Sequence, residues 1–537
     1  MNFIIIWISI VTPVLVSLIA GQGIFHYFQL ESYQFPGYFR TLKRNLIHSF
    51  LPGLLVYLIS VGLMYIQRFL QLDMSSGILN VIAQFGVLVL GILCAYLVCG
   101  AFKEKRAKKK FVFTGRVKRL YGVSFVIMLL ISWASITYLS SPLLELLWTL
   151  FLPFVIALCG LLAWPIEKGI SELYFRDARR KLLSNKNMVR IGITGSYGKT
   201  SVKHILGTIL SEKYPTLITP ASFNTPMGVS RAIRERLRPS HQIFVGEMGA
   251  RHVGDIKEMC RLVKPTIGII TSVGPQHLET FKTVERVAKT KYELIEALPI
   301  TDSHSYFADD DAIVYNMYNK TNKTKSLCGT NGFRDDCYAD QISVSKSGSS
   351  FLLKIKDAGT VQCNTKLLGE HNISNIVLAA AVAFDLGLSL RQISHGISKL
   401  SPVQHRLELI SNPNQFTIIN DAYNSNPIGA KAALNVLKGF PSRRIIITPG
   451  MVELGKNEAQ YNREFGMQMK SCVDIAIIIG KQRAIPIIEG LKSVGFTDKQ
   501  IYRVDSLADS TELLHRIVKP NDTVLYENDL PDNYQEA

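Results

Sequence analysis

Five apolar stretches, at about 2–22, 48–70, 79–101, 121–140 and 143–164, crowd the first third of this 537-residue chain. Each has roughly the 20 residues a helix needs to cross the hydrocarbon layer of a bilayer. In that layer the backbone finds no water to bond, so such stretches have to be helical. Residues 1–165 are therefore expected to form a membrane region of about five transmembrane helices. The first stretch has no basic start and no small-residue cleavage site, so it reads as a retained span, not a signal peptide. Ser140-Ser141-Pro142 separates the last two and implies a tight hairpin.

The formal net charge is +18. Much of it sits in one place: "FKEKRAKKKFVFTGRVKR" (102–119) carries nine Lys/Arg against one Glu. A basic loop between apolar runs is the mark of a cytoplasmic loop, and this position argues against nucleic acid as a partner. Arg40, Lys43 and Arg44 after the first stretch, and "EKGISELYFRDARRKLLSNK" after the fifth, fall on the same side if there are five spans. The opposite loops carry no Lys or Arg. The bias puts the N-terminus outside and everything after about 165 in the cytoplasm, with 166–186 as a basic linker. The aromatic, amphipathic segment 25–45 suits either the inner membrane face or an ordinary interfacial loop. Eight cysteines are scattered with no Cys-x-x-Cys pair and no Cys/His ligand spacing, so neither a zinc site nor a disulfide framework is indicated.

Beyond the spans, "MVRIGITGSYGKTSVKHILGTIL" reads strand, tight loop, helix. Gly195 and Gly198 let the backbone N–H groups of Ser196 and its neighbours face an anion. Lys199 can reach terminal phosphates, and the Thr200 or Ser201 hydroxyl can meet Mg²⁺. The general phosphate-loop pattern asks for a further Gly where Ile193 stands, so only the shorter form Gly-x-x-Gly-Lys-Thr-Ser is present.

That shorter form resembles the Mur ligases, the ATP-dependent amide ligases of peptidoglycan precursor synthesis. Further matching stretches follow in order: "FNTPMGVS" (223–230), "FVGEMGARHVGDI" (244–256), "PTIGIITSVGPQHLETF" (265–281), "VAKTKYELIEALP" (287–299), "LLGEHNISNIVLAAAVA" (367–383), "HRLELI" (405–410) and "INDAYNSNP" (419–427). "EMGA" and "DAYNSNP" look like the MurF branch, which adds D-alanyl-D-alanine to UDP-N-acetylmuramoyl-tripeptide. The resemblance implies a P-loop α/β central domain at 187–398, more β-rich at about 305–368, and a smaller Rossmann-like C-terminal domain at 399–537. Strands of the latter are expected near 416–420, 443–448, 474–479, 501–504 and 523–526.

Joining a carboxylate to an amine needs an activated carboxylate, and ATP supplies it as an acyl phosphate. Negative charge then has to be offset by Mg²⁺ and a lysine. By resemblance, Lys199, His277 and Lys291 are catalytic. Gly195, Ser196, Gly198, Lys199, Thr200, Ser201, His371, Asn372, Asn375, Arg406 and Asp421 hold the nucleotide. Thr200 and Glu247 hold one Mg²⁺, and His277 and a carbamylated Lys291 a second; Lys289 competes with Lys291. Asn224, Tyr423 and Asn424 face substrate. Two departures stand out: Ser272 replaces an Asn of the family motif, and the acidic ending "NDTVLYENDLPDNY" (521–534) replaces a basic one.

Such a ligase normally begins with a soluble domain for the UDP part of its substrate, where this chain has membrane spans. Four readings follow: an anchored MurF-like ligase of the bacterial cell membrane acting on the nucleotide precursor; a ligase acting on a lipid-linked or other membrane-held acceptor; an anchored poly-γ-glutamate-type polymer ligase; and a non-catalytic scaffold for cell-wall synthesis proteins. The complete set of matching site residues argues against the last.

Overall fold

The computed structural model describes residues 2–73, 78–102, 110–139, 141–221, 223–309, 311–332, 334–411, 416–423 and 425–530. Two compact units divide them, one up to Glu172 and one from Leu173 to Leu530. In the first, four helices are long and apolar enough to cross a membrane: Leu46–Leu70, Ile78–Phe102, Gly115–Tyr138 and Leu143–Leu183. The first expected span, 2–22, is the helix Asn2–Ala20, and a second helix, Gln22–Leu30, follows it at a 48° bend. The break falls at Gly21, where a poor helix former separates the halves. The count reaches five only if this bent pair is one span. Two ion pairs join charged side chains of the apolar helices, as an apolar setting favours: Arg68 bonds Glu145 at 2.6 Å, and Arg119 grips both Glu167 oxygens at 2.5 and 2.9 Å. The segment after the bend continues as a helix, Phe35–Arg44, which buries Gly37, Tyr38 and Leu42 and exposes Phe39, Arg40, Lys43 and Arg44.

The stretch expected as a linker, 166–186, is helical as far as Leu183. Its Phe175, Ala178 and Leu182 recur at helical spacing and are buried with Val229 and Ile233, so its second half belongs to the core of the second unit.

The second unit holds two sheets. In chain order the first comprises β1 (Val189–Thr194), β2 (Thr216–Ile218), β3 (Ile243–Glu247), β4 (Ile267–Ile270), β5 (His304–Ala308), β6 (Lys325–Gly329), β7 (Cys337–Ser345), β8 (Gly348–Ile355) and β9 (Gly359–Thr365). They lie in the order β2-β3-β1-β4-β5-β6-β7-β8-β9, parallel as far as β7 and antiparallel through β8 and β9. Strands such as "IFVGE" and "IGII" are fully buried, as parallel strands covered on both faces have to be. β1 lies between β3 and β4, so the strand order reverses beside it, and ligands settle at the carboxyl ends of strands at such a switch point. Ile193 pairs with Glu247 and Thr194 with Ile270, which sets three strand ends abreast there.

The second sheet comprises β10 (Glu408–Ser411), β11 (Thr417–Asp421), β12 (Arg444–Thr448), β13 (Ile475–Ile479), β14 (Ile501–Val504) and β15 (Thr523–Glu527). Its order is β10-β11-β15-β12-β13-β14, parallel except for β10. The five strands expected from the sequence are all present. β10, antiparallel to β11 at the edge of the sheet, is additional.

Candidate active site

The loop after β1 closes on itself. A Cβ at Gly195 would lie 2.1 Å from Thr271 Oγ1, and Gly198 has φ +81°, so both positions need glycine. Ser196 Oγ donates to Gly274 O at 3.1 Å. Ser272, the departure from the family motif, keeps the loop tied: its hydroxyl accepts Tyr197 N–H at 2.9 Å and donates to Tyr197 O at 3.0 Å. Lys199 folds back over the loop and donates to Gly195 O at 2.7 Å and Ser196 O at 3.2 Å. Burial pulls its ammonium down to about 8; Glu247 opposes this and Arg406 adds to it.

Helix Lys199–Leu210 starts at Gly198 and aims its first turn at β3. Thr200 Oγ1 donates to Glu247 Oε2 at 3.0 Å, and Asn224 Nδ2 donates to Oε1 at 3.2 Å. Lys203, three residues past Thr200 on the same helix face, donates to Glu247 Oε2 at 2.9 Å and to Ala221 O. Neither side chain of this ion pair is more than 2% exposed. Burial pushes the Glu247 carboxyl up, but Lys203 and Lys199 outweigh it, so the group lies below its ordinary value. Sequence reading passed over Lys203 because a helical lysine most often faces water; its spacing from Thr200 was the available signal. Asn224, expected to meet substrate, bonds Glu247 in this cluster.

The C-terminal domain reaches the same cluster. Arg406 Nη2 donates to Thr200 Oγ1 at 3.3 Å, and its guanidinium lies 4.7 Å from the centre of the Tyr423 ring. Asp421 accepts Leu407 N–H at 3.2 Å; burial raises its carboxyl to about 6 against the pull of Arg406. Thr200, Ser201, His204, Asn372, Arg406 and Tyr423 line a cavity of about 430 Å³ beside the phosphate loop. Tyr423, expected to face substrate, thus faces this cavity. Asn372 bonds Leu368 O at 2.8 Å, and the Asn375 amide oxygen packs beside Gly198. Burial lowers His371 to about 4. Asn424 lies outside the described residues.

His277, after β4, has a left-handed backbone at φ +50°, and its Nδ1 meets Glu453 of the C-terminal domain. Burial lowers its pKa, with Glu453 pulling the other way. On helix Val284–Ala297, Val287, Lys291 and Leu294 form the buried stripe, and Lys289 points to solvent. Lys291 is held well below its ordinary value by burial and then by Lys199, against Asp255, Glu293 and Glu247. Of the acidic ending, Glu527 is buried: its carboxylate accepts the Ser425 and Thr448 hydroxyls, and burial raises it to about 7. Asn528 Nδ2 donates to Gly450 O at 2.6 Å. These contacts tie the ends of β15, β11 and β12 together.

The residues suit a nucleotide with Mg²⁺. The loop has no room for side chains at Gly195 and Gly198, and the adjoining cavity is of small-molecule size. Among the described residues no cluster of three or more His, Cys, Asp or Glu gathers to hold a metal by itself. Mg²⁺ is commonly held by one or two protein oxygens plus substrate phosphates, and Thr200 with Glu247 offers that set.

A phosphate loop at a sheet switch point, met by an arginine from a second Rossmann-like domain, defines a two-domain nucleotide-dependent α/β enzyme. The family pattern described as Mur ligase middle domain matches residues 193–383, and that described as Mur ligase, glutamate ligase domain matches 405–526. A UDP-N-acetylmuramoyl-tripeptide--D-alanyl-D-alanine ligase from Haemophilus influenzae is 31% identical over 343 residues, 62% of this chain and 74% of that protein. The ligase of the same name from Escherichia coli is 30% identical over 371 residues, 67% of this chain and 81% of that protein. A crystal structure of MurF from Acinetobacter baumannii superposes with a TM-score of 0.62 at 25% identity, covering 68% of this chain and 78% of that one. The chain belongs to the Mur ligase family, on its MurF-like side, and is an ATP-dependent ligase.

Proposed function

We propose that this chain is a membrane-anchored, MurF-like ligase that joins D-alanyl-D-alanine to a muramoyl-peptide carboxylate through an acyl phosphate. The observation that carries this reading is the convergence of Lys199, Thr200, Glu247 and Arg406 from two domains on one cluster beside the cavity. Lys199 and the N–H groups at the start of helix Lys199–Leu210 bind phosphates, Thr200 and Glu247 hold Mg²⁺, and Arg406 offsets charge on the transferred phosphoryl group. When bound, Mg²⁺ lowers the charge repulsion between nucleotide and carboxylate. His277 and Lys291, the latter as its carbamate, serve a second cation. Burial of Lys291 favours the neutral amine that CO₂ requires. The catalytic unit lies in the cytoplasm and the N-terminus outside, by the basic bias of Arg40, Lys43, Arg44 and the loop 102–119.

A second reading, a lipid-linked acceptor, is favoured by the apolar helices that occupy the first third of the chain. The test is phosphate release and product formation by the purified full-length protein with ATP, D-alanyl-D-alanine and either a UDP-linked or a lipid-linked muramoyl-tripeptide. Product with the UDP-linked acceptor supports the first reading. Product with the lipid-linked acceptor alone replaces it with the second. ATP turnover with neither, unchanged in Lys199→Ala, refutes the ligase site.

A further inference from the structure

His277 and Glu453 lie 176 residues apart, on different domains, and their side chains meet. The Glu453 carboxylate also lies 3.5 Å from the Arg251 guanidinium. Both partners sit in backbone conformations that non-glycine residues adopt at a cost: φ is +50° at His277 and +64° at Glu453. The surroundings impose them. Asn462 is fully buried and clamps the Glu453 loop by accepting Met451 N–H at 2.8 Å and donating to Met451 O at 2.9 Å. Glu279 N–H donates to Glu453 O at 3.3 Å across the domain contact.

His277 Nδ1 is the ring nitrogen that faces Glu453, and with the carboxylate accepting it carries the proton. In the neutral ring this leaves the lone pair on Nε2. Carboxylates placed so behind a metal-bound imidazole fix its tautomer and raise its basicity. Here the carboxylate and the imidazole come from separate domains.

We propose that Glu453 is a positioning residue for His277: it pins the ring proton on Nδ1, presents Nε2 to a divalent cation, and makes cation capture depend on the docked C-terminal domain. This rests on reading His277 as a cation ligand. Because linkage is reciprocal, a cation on Nε2 favours the docked arrangement by the same factor by which docking favours the cation.

The test uses Mn²⁺ with the full-length protein and β,γ-methylene-ATP, read by the ¹⁴N coupling of an imidazole in pulsed electron paramagnetic resonance. Wild type shows the coupling and His277→Ala lacks it; absence of the coupling in wild type, or its survival in His277→Ala, overturns both the ligand reading and the proposal. In Glu453→Ala the coupling is lost and Mn²⁺ binds about 10- to 100-fold more weakly. Glu453→Gln, whose amide oxygen still accepts from Nδ1, recovers part of the coupling. Spin labels on the two domains report Mn²⁺-induced docking in wild type and none in Glu453→Ala. Wild-type coupling, affinity and docking in Glu453→Ala overturn the proposal and leave the ligand reading standing. Hydrogen exchange across the middle-domain sheet, unchanged in Glu453→Ala, separates loss of positioning from loss of fold.

Discussion

Lys203→Met isolates the energetics of the cluster. Methionine keeps most of the volume of this fully buried side chain and removes its charge, so cavity formation contributes little. What remains is Glu247, at 1% exposure, bonded by the Thr200 hydroxyl and the Asn224 amide, with Lys199 as the remaining nearby cation that lowers it. Removing one partner of a buried pair costs about 3–5 kcal/mol, because the other is left as an uncompensated charge. At about 1.4 kcal/mol per factor of ten, amides that exchange through opening of this region should exchange at least ~100-fold faster. All four tryptophans lie before residue 165, so fluorescence does not report on the site. Hydrogen-exchange mass spectrometry on peptides covering β3 and helix Lys199–Leu210 does.

The pH dependence has a definite sign. In wild type Glu247 lies below its ordinary value, so its contribution to stability is present above the unfolded pKa of about 4.3 and is lost as pH falls through the folded pKa. In Lys203→Met the largest lowering influence is gone while burial, Lys199 and the Asn224 amide remain, so the folded pKa moves up from its wild-type position. The penalty relative to wild type then grows as pH rises through the two folded values and is relieved on acidification. Adding Glu247→Gln to Lys203→Met should restore much of the protection, since neither buried charge remains. Mg²⁺ should stabilise Lys203→Met more than wild type, because the ammonium and the cation share one carboxylate. Exchange within threefold of wild type at neutral pH, or a loss in the double variant equal to the sum of the two single losses, would refute the claim that the pair is ionised and coupled.

Two further outcomes follow from burial. Lys291→Ala should abolish ligase activity and remove a carbamate resonance from the protein equilibrated with ¹³C-bicarbonate, whereas Lys289→Ala, on the exposed side of the same helix, should keep both. For Asp421, burial raises the carboxyl to about 6 from about 3.9 unfolded, so wild type loses stability as pH rises across that window, and Asp421→Asn should lose less, measured by exchange in β10 and β11.

The hydrogen-bond network also explains the two departures from the family pattern. Ser272 is shorter than Asn, yet it sits close enough to bond both the N–H and the C=O of Tyr197. Glu527 brings an acid to the domain edge but spends both oxygens on Ser425 and Thr448 inside the fold. Neither outcome follows from residue type, because each depends on a partner 75 or more residues away.

What the sequence determined by itself is what local physics controls. Apolar runs of span length could only be helices. Glycines at 195 and 198 between a β-rich run and a helical pattern meant a phosphate loop. Alternating strand and helix signals placed the strands of the C-terminal sheet. The sequence left Lys289 competing with Lys291, and the structure places Lys291 with Val287 and Leu294 on the buried stripe and Lys289 on the exposed side. Only the tertiary structure decided the rest. It bent the chain by 48° at the end of the first apolar run, folded half of the expected linker into the core of the second unit, set Asn224 against Glu247 and Tyr423 on the cavity, and brought Lys203 and Glu453 into the site. Contacts such as His277 with Glu453 leave no trace in local spacing, because they form only when two separately folded sheets present their loops to one another. Their energies come from burial and charge, which a side chain acquires from its surroundings and not from its place in the chain.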